Sequence, residues 1–585
     1  MGKMRDNIDR YNILIILIAL SFLMRLSFRS NYLDDWDSVQ FALAIKDYSI
    51  VLHQPHPPGY PIYVFIGRIM NIFINDPTKS LIMVSVMFGS LSLVPTYLIT
   101  EKFFNKETAI LSSIILLLTP AHLLFSEVAM TDIVSLFFVT TTIYLLCLGI
   151  EKTKYLYIGS FVLGITSGIR LTDIILISIL SIVLIYRLKE KKLRLKELIF
   201  TIMSVIIGMS IWLIPIIIDT GFDNLIRAEI SQFDYNKNTS TINQGISITF
   251  DKIIGLYVTG WSVVFYIFIL ITLIFTVSEV LKRDINIDRR IIIIIIWLLT
   301  YFIYSTFYND LYISRYLLPQ FAPLSIIFSH SMIKILDLVK RPIKLPIAII
   351  FSILIIIMGS QAITGAYTIS TTKPAPVQAA EMIKNNYDPD NTVIIAKDSH
   401  RHFQYYLPNF TFLRFEDTQD KIGDYANKTI ISEGSPVAFV PSRICAYKRE
   451  KIYPKHQYVL LYENRDLQKQ FIMLERDGWV GFGTNGNIIL RRMENDAVLR
   501  LYSDDNKDYN ISFSVISMNS PRTLEIYNGD IKIDHKSVST NFEDIVLSTN
   551  LKKGINTIRF HVTEGCERID DKCMSIALAA KVLTR

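Results

Sequence analysis

The sequence predicts a polytopic α-helical membrane protein, about 11 transmembrane helices plus juxtamembrane helices, with a C-terminal extracytoplasmic α/β unit and β-sandwich. Three observations predict it. Up to about Tyr367 the chain is a succession of apolar runs of roughly 17–25 residues, the length that crosses a bilayer. From Thr371 onward no such run occurs, and charged, Asn and Tyr residues dominate. The loops between the apolar runs also differ sharply in basic content on the two sides they alternate between.

Spans are expected at 12–28, 79–101, 107–122, 132–150, 155–170, 171–187, 198–218, 253–281, 290–308, 317–336 and 346–368. The run Pro61 to Ile74 is also apolar but short, and it carries Arg68 and Asn71, so it is expected to lie in the interface rather than to cross. Loops on the N-terminal side hold roughly 21 basic residues, including those of RLKEKKLRLK (187–196), against about seven opposite. The bias places the N-terminus in the cytoplasm and the C-terminal part outside, in an integral, multi-pass cell-membrane protein. It also accounts for the net charge of +7 topologically, so no nucleic-acid partner is implied. The first apolar run is long and no small-residue cleavage pattern follows it before Asp34, which argues against a cleaved signal.

Residues 1–370 are assigned to the membrane domain, with a first external loop at 29–78. Residues 371–494 combine a helix-like Pro376 to Asn386 with strand-like TVIIAKD and QYVLLYE, an α/β pattern. Residues 495–585 alternate in short strands with Asn528-Gly529 and Lys553-Gly554 turns, as a β-sandwich does. Four cysteines in 585 residues are too few for a disulfide scaffold. Cys566 and Cys573 are close enough in sequence to pair, which requires an extracytoplasmic side. The acceptor pattern N-x-S/T at Asn238, Asn409, Asn427 and Asn510 falls outside in the same topology.

One stretch stands out from this pattern. RSNYLDDWDSVQFALAIKDYSIVLHQPHPPGYPIY (29–63) sets three Asp, a Trp, two His and a Pro-Pro-Gly turn directly after the first apolar run. Asp34, Asp35 and Asp37 can cap a helix; at a partly desolvated interface a carboxylate also serves as a general base or metal ligand. His53 and His56 lie in a proline-rich connector that stops one helix and starts the next. Their spacing alone does not make a zinc site, because no Cys or third His is near. Glu127 and Asp132 bracket the next external turn, and ionisable groups at membrane depth are costly and usually functional. Arg170 (SGIRLTD) and Arg315 (YISRYLLPQFAP) sit at external ends of spans, where a guanidinium either snorkels to headgroups or binds a lipid phosphate.

Asp37-Ser38-Val39-Gln40-Phe41-Ala42 followed by His56-Pro57-Pro58-Gly59 resembles the GT-C glycosyltransferases. The similar branches are the protein O-mannosyltransferases and the aminoarabinose transferases of lipid A. There the first external loop carries D-E-x-x-[YF]-A, and [HK]-P-P-[LG] opens the next juxtamembrane helix; Ser38 stands where Glu is usual. A second register puts Asp34-Asp35 on the acidic pair but loses the Phe-Ala anchor. Asp132 matches the second acidic position, and Arg315-Tyr316-Leu317-Leu318-Pro319 is similar to a stretch these transferases carry before a late span.

The resemblance implies an inverting transfer of a monosaccharide, mannose or another hexose, from a polyprenyl- or dolichyl-phosphate carrier to an extracytoplasmic protein, glycan or lipid acceptor. It implies Asp37, or else Asp34, as base, with Asp132 as a further catalytic carboxylate. Arg315, Arg170 and Tyr316 would sit on the donor phosphate, and His56, His53, Asp35 and Glu127 on substrate. It names no cofactor for certain and leaves a divalent metal ion open. Two other classes fit less well. An oligosaccharyltransferase would carry W-W-D-Y-G, which Gly478-Trp479-Val480-Gly481 does not match. A transporter or flippase would place its site near the bilayer midplane and often show repeated halves.

Overall fold

The computed structural model describes residues 2–584 apart from 244–245, 282–288, 310–313, 415–417, 438–440, 450–456, 466, 468–470, 473–476, 486–487, 504 and 570–571. The chain divides into two compact units, Met1–Pro374 with 450–456, and Ala375–Arg449 with Gln457–Arg585.

The first unit is helical. Its elements run α1 (Gly2–Phe28), α2 (Trp36–Lys46), α3 (Pro61–Ile74), α4 (Pro77–Leu91), α5 (Leu93–Phe103), α6 (Lys106–Leu118), α7 (Pro120–Leu124), α8 (Thr131–Gly149) and α9 (Thr153–Thr166). A 3₁₀ turn, Leu171–Leu176, leads into α10 (Ile177–Lys189), α11 (Leu195–Thr220), α12 (Phe222–Thr239), α13 (Ile246–Gly260), α14 (Phe265–Leu281) and α15 (Arg289–Ile303). A π turn, Tyr304–Tyr308, and a 3₁₀ turn, Ser314–Leu317, precede α16 (Leu318–Leu338) and α17 (Arg341–Thr371). The helix starts are written locally. The side chains of Asp76 and Asn105 accept from the backbone N–H of Lys79 (3.1 Å) and Thr108 (2.8 Å), ordinary N-caps that satisfy otherwise orphaned donors.

Among the described residues, seven helices are long and apolar enough to cross a membrane, or eight if one bent pair is a single span. The expected span at 12–28 is the apolar part of α1, Asn12–Phe28, whereas those at 107–122 and 155–170 appear as shorter or interrupted helices; α6 stops before Pro120 and α9 has 14 residues. The span expected over 253–281 is not one straight helix: α13 and α14 bend by 102° at their junction. Trp261 explains the break. It turns inward, fully buried, and packs edge-on against Phe321 and Phe328, which a continuous helix through Ser262 (φ 128°) does not allow. The α4–α5 and α8 spans are 67% buried, whereas α11 is 28% and the span containing α17 is 22%. The former pair is therefore the interior of the bundle and the latter its apolar rim. Close packing of α9 on α11 needs glycine: a Cβ on Gly164 would run into the Val205 carbonyl, and one on Gly208 into that of Phe161, the small-residue contact typical of membrane helices. Helix α3 buries Tyr63, Val64 and Gly67 and exposes Phe65, Ile69, Ile72 and Phe73, the two-faced pattern of an interfacial helix.

The second unit begins with α18 (Ala375–Asn386), β1 (Thr392–Ala396), α19 (His400–Tyr406), β2 (Thr411–Arg414), β3 (Thr429–Glu433), β4 (Arg443–Arg449) and β5 (Gln457–Asn464). These strands form one sheet in the order β2-β1-β3-β5-β4, with β2, β1 and β3 parallel. His400 opens α19, and His402 is buried. Strands β6 (Phe471–Ile472), β7 (Trp479–Asn485), β8 (Ile488–Met493), β9 (Asp496–Ser503), β10 (Lys507–Ser517), β11 (Arg522–Asn528), β12 (Ile531–Val538), β13 (Glu543–Leu551), β14 (Gly554–Val562), β15 (Glu567–Ile569), β16 (Lys572–Met574) and β17 (Ile576–Thr584) follow. They make two five-stranded sheets, β13-β10-β17-β8-β7 and β12-β11-β14-β9-β6, plus the β15–β16 hairpin. Alternating residues of both sheets, Leu499, Leu501, Ile511, Phe513, Leu547, Ile558 and Phe560 among them, fill the space between, as in a sandwich. The sandwich takes in β6, β7 (Trp479–Asn485) and β8 (Ile488–Met493), so the boundary expected at 494/495 falls inside it. Cys566 and Cys573 are joined in a disulfide across β15–β16.

Candidate functional site

The 29–63 stretch folds into a cap, a helix and a proline-rich loop. The Asp35 side chain accepts from the backbone N–H of Asp37 (3.3 Å), and the Ser38 hydroxyl accepts from the N–H of Asp35 (3.2 Å). This capping box uses Asp35 and Ser38 to start α2 and turns Asp37, in the first helical turn, to a partly exposed position with 22% of its side chain accessible. The loop after α2 is pinned by paired backbone bonds between Ser49 and Gln54, and Gln54–Pro55 and Pro57–Pro58 are cis. Gly59 has φ +93°, and a Cβ there would strike the Tyr48 hydroxyl. That hydroxyl donates to the Gly59 carbonyl at 3.0 Å, so the glycine of the His-Pro-Pro-Gly motif is required twice over. The loop delivers His56 against α2. Its backbone N–H and Nδ1 both meet Gln40 Oε1, at 3.0 and 2.6 Å, and its Nε2 lies 2.8 Å from the Tyr60 hydroxyl.

Other elements bring the rest. Arg315, in the 3₁₀ turn before α16, donates from Nη2 to Asp37 Oδ2 at 2.7 Å across 278 residues of sequence. His56 Nδ1 is 3.8 Å from Asp37 Oδ1. Arg170, after α9, forms an ion pair with Asp132 at the start of α8. The Cζ atoms of Arg170 and Arg315 lie 5.0 and 5.2 Å from the Tyr316 ring centroid, within cation–π range. Two guanidiniums thus share one aromatic ring while each faces a carboxylate. Burial holds the His56 imidazole below its ordinary value, Asp37 partly offsetting this and Arg315 adding to it, and burial pushes the Tyr60 phenol up.

Asp37, His56, Asp132, Arg170, Arg315 and Tyr316 therefore come together. The remaining sequence candidates do not join them in the same way. Asp35 is a helix cap, tied to the backbone of its own turn. His53 is exposed on the 49–54 turn. Asp34 and Glu127 are buried, at 2% and 0% exposure. Burial raises the Glu127 carboxyl well above its usual range, Arg25 opposing and Asp34 reinforcing this. Sequence reasoning missed Gln40 and Tyr60, which stand in positions the motif leaves open. It also missed Asp173, which accepts from Ser135 Oγ (2.6 Å) and Tyr301 Oη (3.0 Å) close behind Arg170. An ionisable residue at the entry of an apolar run was the available signal. Among the described residues no group of three or more His, Cys, Asp or Glu could hold a metal ion. Ser38, where the resembling families carry a carboxylate, offers a hydroxyl already bound to the Asp35 N–H. The donor set does not fit the divalent metal that the resemblance left open.

Residues 55–214 match a family model described as dolichyl-phosphate-mannose-protein mannosyltransferase. ArnT from Cupriavidus metallidurans, bound to undecaprenyl phosphate, superposes with a TM-score of 0.52 at 12% identity, over 78% of this chain and 98% of that one. The membrane unit has the GT-C glycosyltransferase fold. Together with the family match, this makes the chain a membrane glycosyltransferase by class. The Archaeoglobus fulgidus oligosaccharyltransferase in its apo form gives a TM-score of 0.48 at 11% identity, over 98% of this chain and 97% of that one. Arabinofuranosyltransferase AftD from Mycobacteria gives 0.42 at 9%, over 98% and 61%. Comparison with curated proteins yields no match. The family match holds His56, Asp132 and Arg170 of the GT-C domain, and it excludes Asp37 and Arg315. The roles of those two rest on geometry and motif.

Proposed function

We propose that the chain is an inverting glycosyltransferase that moves a monosaccharide, mannose or another hexose, from a polyprenyl-phosphate carrier to an acceptor hydroxyl outside the cell. The observation that carries this reading is the Asp37–Arg315 pair at 2.7 Å, with Arg170 and Tyr316 beside it. It sets a proton acceptor next to a phosphate-binding pair of arginines, in a domain whose family match names a lipid-phosphate sugar donor.

The chemistry follows from the charges. Asp37 takes the proton of the acceptor hydroxyl as that oxygen attacks the anomeric carbon. The bond from that carbon to the phosphate oxygen breaks on the opposite face, and its electron pair leaves with the lipid phosphate. Arg315 and Arg170 donate to the phosphate as charge builds there, which is where preorganised donors lower the barrier most; Arg suits a phosphate because its planar fork binds two oxygens at once. An incoming phosphate competes with Asp37 for Arg315, so donor binding frees the carboxylate for the acceptor. His56 and Asp132 position the reactants. The lipid tail stays in the bilayer, which explains why the site lies at the end of the spans and needs no nucleotide-binding loop. The charge bias of the loops sets this end outside, with the N-terminus in the cytoplasm.

The test is transfer from a purified lipid-linked sugar by the full-length protein. Asp37→Asn is expected to abolish transfer while the protein keeps its melting behaviour; full retained activity overturns the assignment.

A further inference from the structure

Gln40 lies in α2 three residues after Asp37 and is 2% exposed. Its Oε1 meets two hydrogens of one residue, the His56 backbone N–H (3.0 Å) and the His56 ring at Nδ1 (2.6 Å). A backbone N–H can only donate, so the amide atom it meets is the oxygen, and the side-chain orientation of Gln40 is settled. An oxygen at 2.6 Å then requires the proton on Nδ1. In a neutral ring Nε2 is left as an acceptor, and the Tyr60 hydroxyl, 2.8 Å away, donates to it. Of the two neutral tautomers, only this one gives each of the three hydrogen bonds one donor and one acceptor.

The consequence falls on Asp37. The charged and titratable groups facing His56 are Asp37 on α2, Asp35 at its N-cap, Arg315 from the turn before α16, Arg170 after α9, and Tyr60 at the head of α3. Were the imidazole charged, it would give Asp37 a second cationic partner beside Arg315. Instead its Nδ1–H is committed to Gln40, and the Nδ1–Oδ1 separation of 3.8 Å is too long for a hydrogen bond. We propose that Gln40 is a positioning residue for the transfer reaction: its neutral amide holds His56 as the Nδ1–H tautomer and turns that proton away from Asp37, without the negative charge by which a carboxylate in the same place would favour imidazolium, so that Asp37 remains the proton acceptor. This rests on the reading of Asp37 given above. Burial of His56, which disfavours its charged form, acts in the same direction.

Two measurements on the full chain test it. In protein labelled with ¹⁵N-histidine, the His56 resonances, assigned by their loss in His56→Gln, are expected to report the Nδ1–H tautomer at neutral pH, with no substrate present. An Nε2–H tautomer overturns the proposal whether or not transfer has been observed, which separates its failure from failure of the proposed activity. The second measurement is the pH profile of Gln40→Glu. A carboxylate in that place accepts the same two hydrogens but favours imidazolium. Transfer by this variant is expected to stay within a few-fold of wild type at alkaline pH, then to fall about tenfold per pH unit on an acidic limb that begins at higher pH than that of wild type. A profile parallel to wild type, or a uniform loss at every pH, would mean that Gln40 merely packs, and overturns the proposal.

Discussion

Two carboxylates of this chain, Asp37 and Glu433, both sit in charged surroundings, yet they are held in opposite ways. Glu433, at the end of β3, is 5% exposed and accepts from the backbone N–H of Lys397 (2.8 Å) and Ser399 (2.9 Å) and from Ser399 Oγ (2.6 Å). All its donors come from one three-residue loop. Asp37 takes a partner at 2.7 Å from 278 residues away, and that partner is a guanidinium already shared with an aromatic ring. A buried carboxylate saturated by backbone donors is architecture, because nothing can displace the donors without unfolding the loop. A carboxylate held by a long cationic side chain can exchange that partner for a ligand. The difference identifies a site better than charge density does, since the Lys397–Arg401 segment next to Glu433 is as charged as the 34–37 segment.

The comparison breaks if the two acids respond alike. Asp37→Asn is expected to have the largest effect in the molecule, a loss of transfer by about 10³-fold or more, in the upper range for a general base. Arg315→Lys comes next, at about 10²-fold, because an ammonium keeps the charge but loses the planar fork; a steady-state assay should show the loss mainly in kcat if the guanidinium acts on the departing phosphate. Glu433→Ala should leave transfer within a few-fold. It should instead lower the stability of the second unit by about 1–3 kcal/mol, the cost of orphaned buried donors, read as a shift of that unit's melting transition. Loss of transfer with an unshifted transition would make Glu433 a functional acid and erase the distinction.

How much of this was legible follows from the range of the interactions. The apolar runs, the two motif anchors and the disulfide partners are local, and the sequence singled out Asp37, His56, Arg170 and Arg315, which the fold brings together. What each of three neighbouring aspartates does was not legible, because the answer depends on which residue begins α2. Asp35 caps it, and that single boundary turns Asp37 toward Arg315. The break between α13 and α14 was hidden because Gly260-Trp261-Ser262 interrupts the apolar run without a proline; the cause is the pocket that Trp261 fills on α16. Strands β7 and β8 were misplaced for the same reason. Met493 pairs with its hairpin neighbour Trp479, but Arg491 and Arg492 pair with Leu578 and Ala577 of β17, and a register across more than 80 residues leaves no local mark.

The smallest effect concerns His56 and acid. Its folded value is depressed by burial, so the folded protein refuses a proton that the unfolded chain accepts near pH 6.5. The stability associated with the neutral ring is therefore complete above about pH 6.5 and is lost as the pH falls through the folded value. Relative to wild type, His56→Gln should become less acid-sensitive, with the gap between the two closing by up to about 1.4 kcal/mol per pH unit over that window. Unfolding midpoints of the full-length protein at pH 7.5, 6.5 and 5.5 decide it. Parallel curves would mean that the imidazole is solvated, and a gap that widens as the pH falls would mean that it is paired as a cation. In that case His56 would share the proton chemistry with Asp37, and the contrast between an exchangeable acid and a saturated one would have to be redrawn around a dyad.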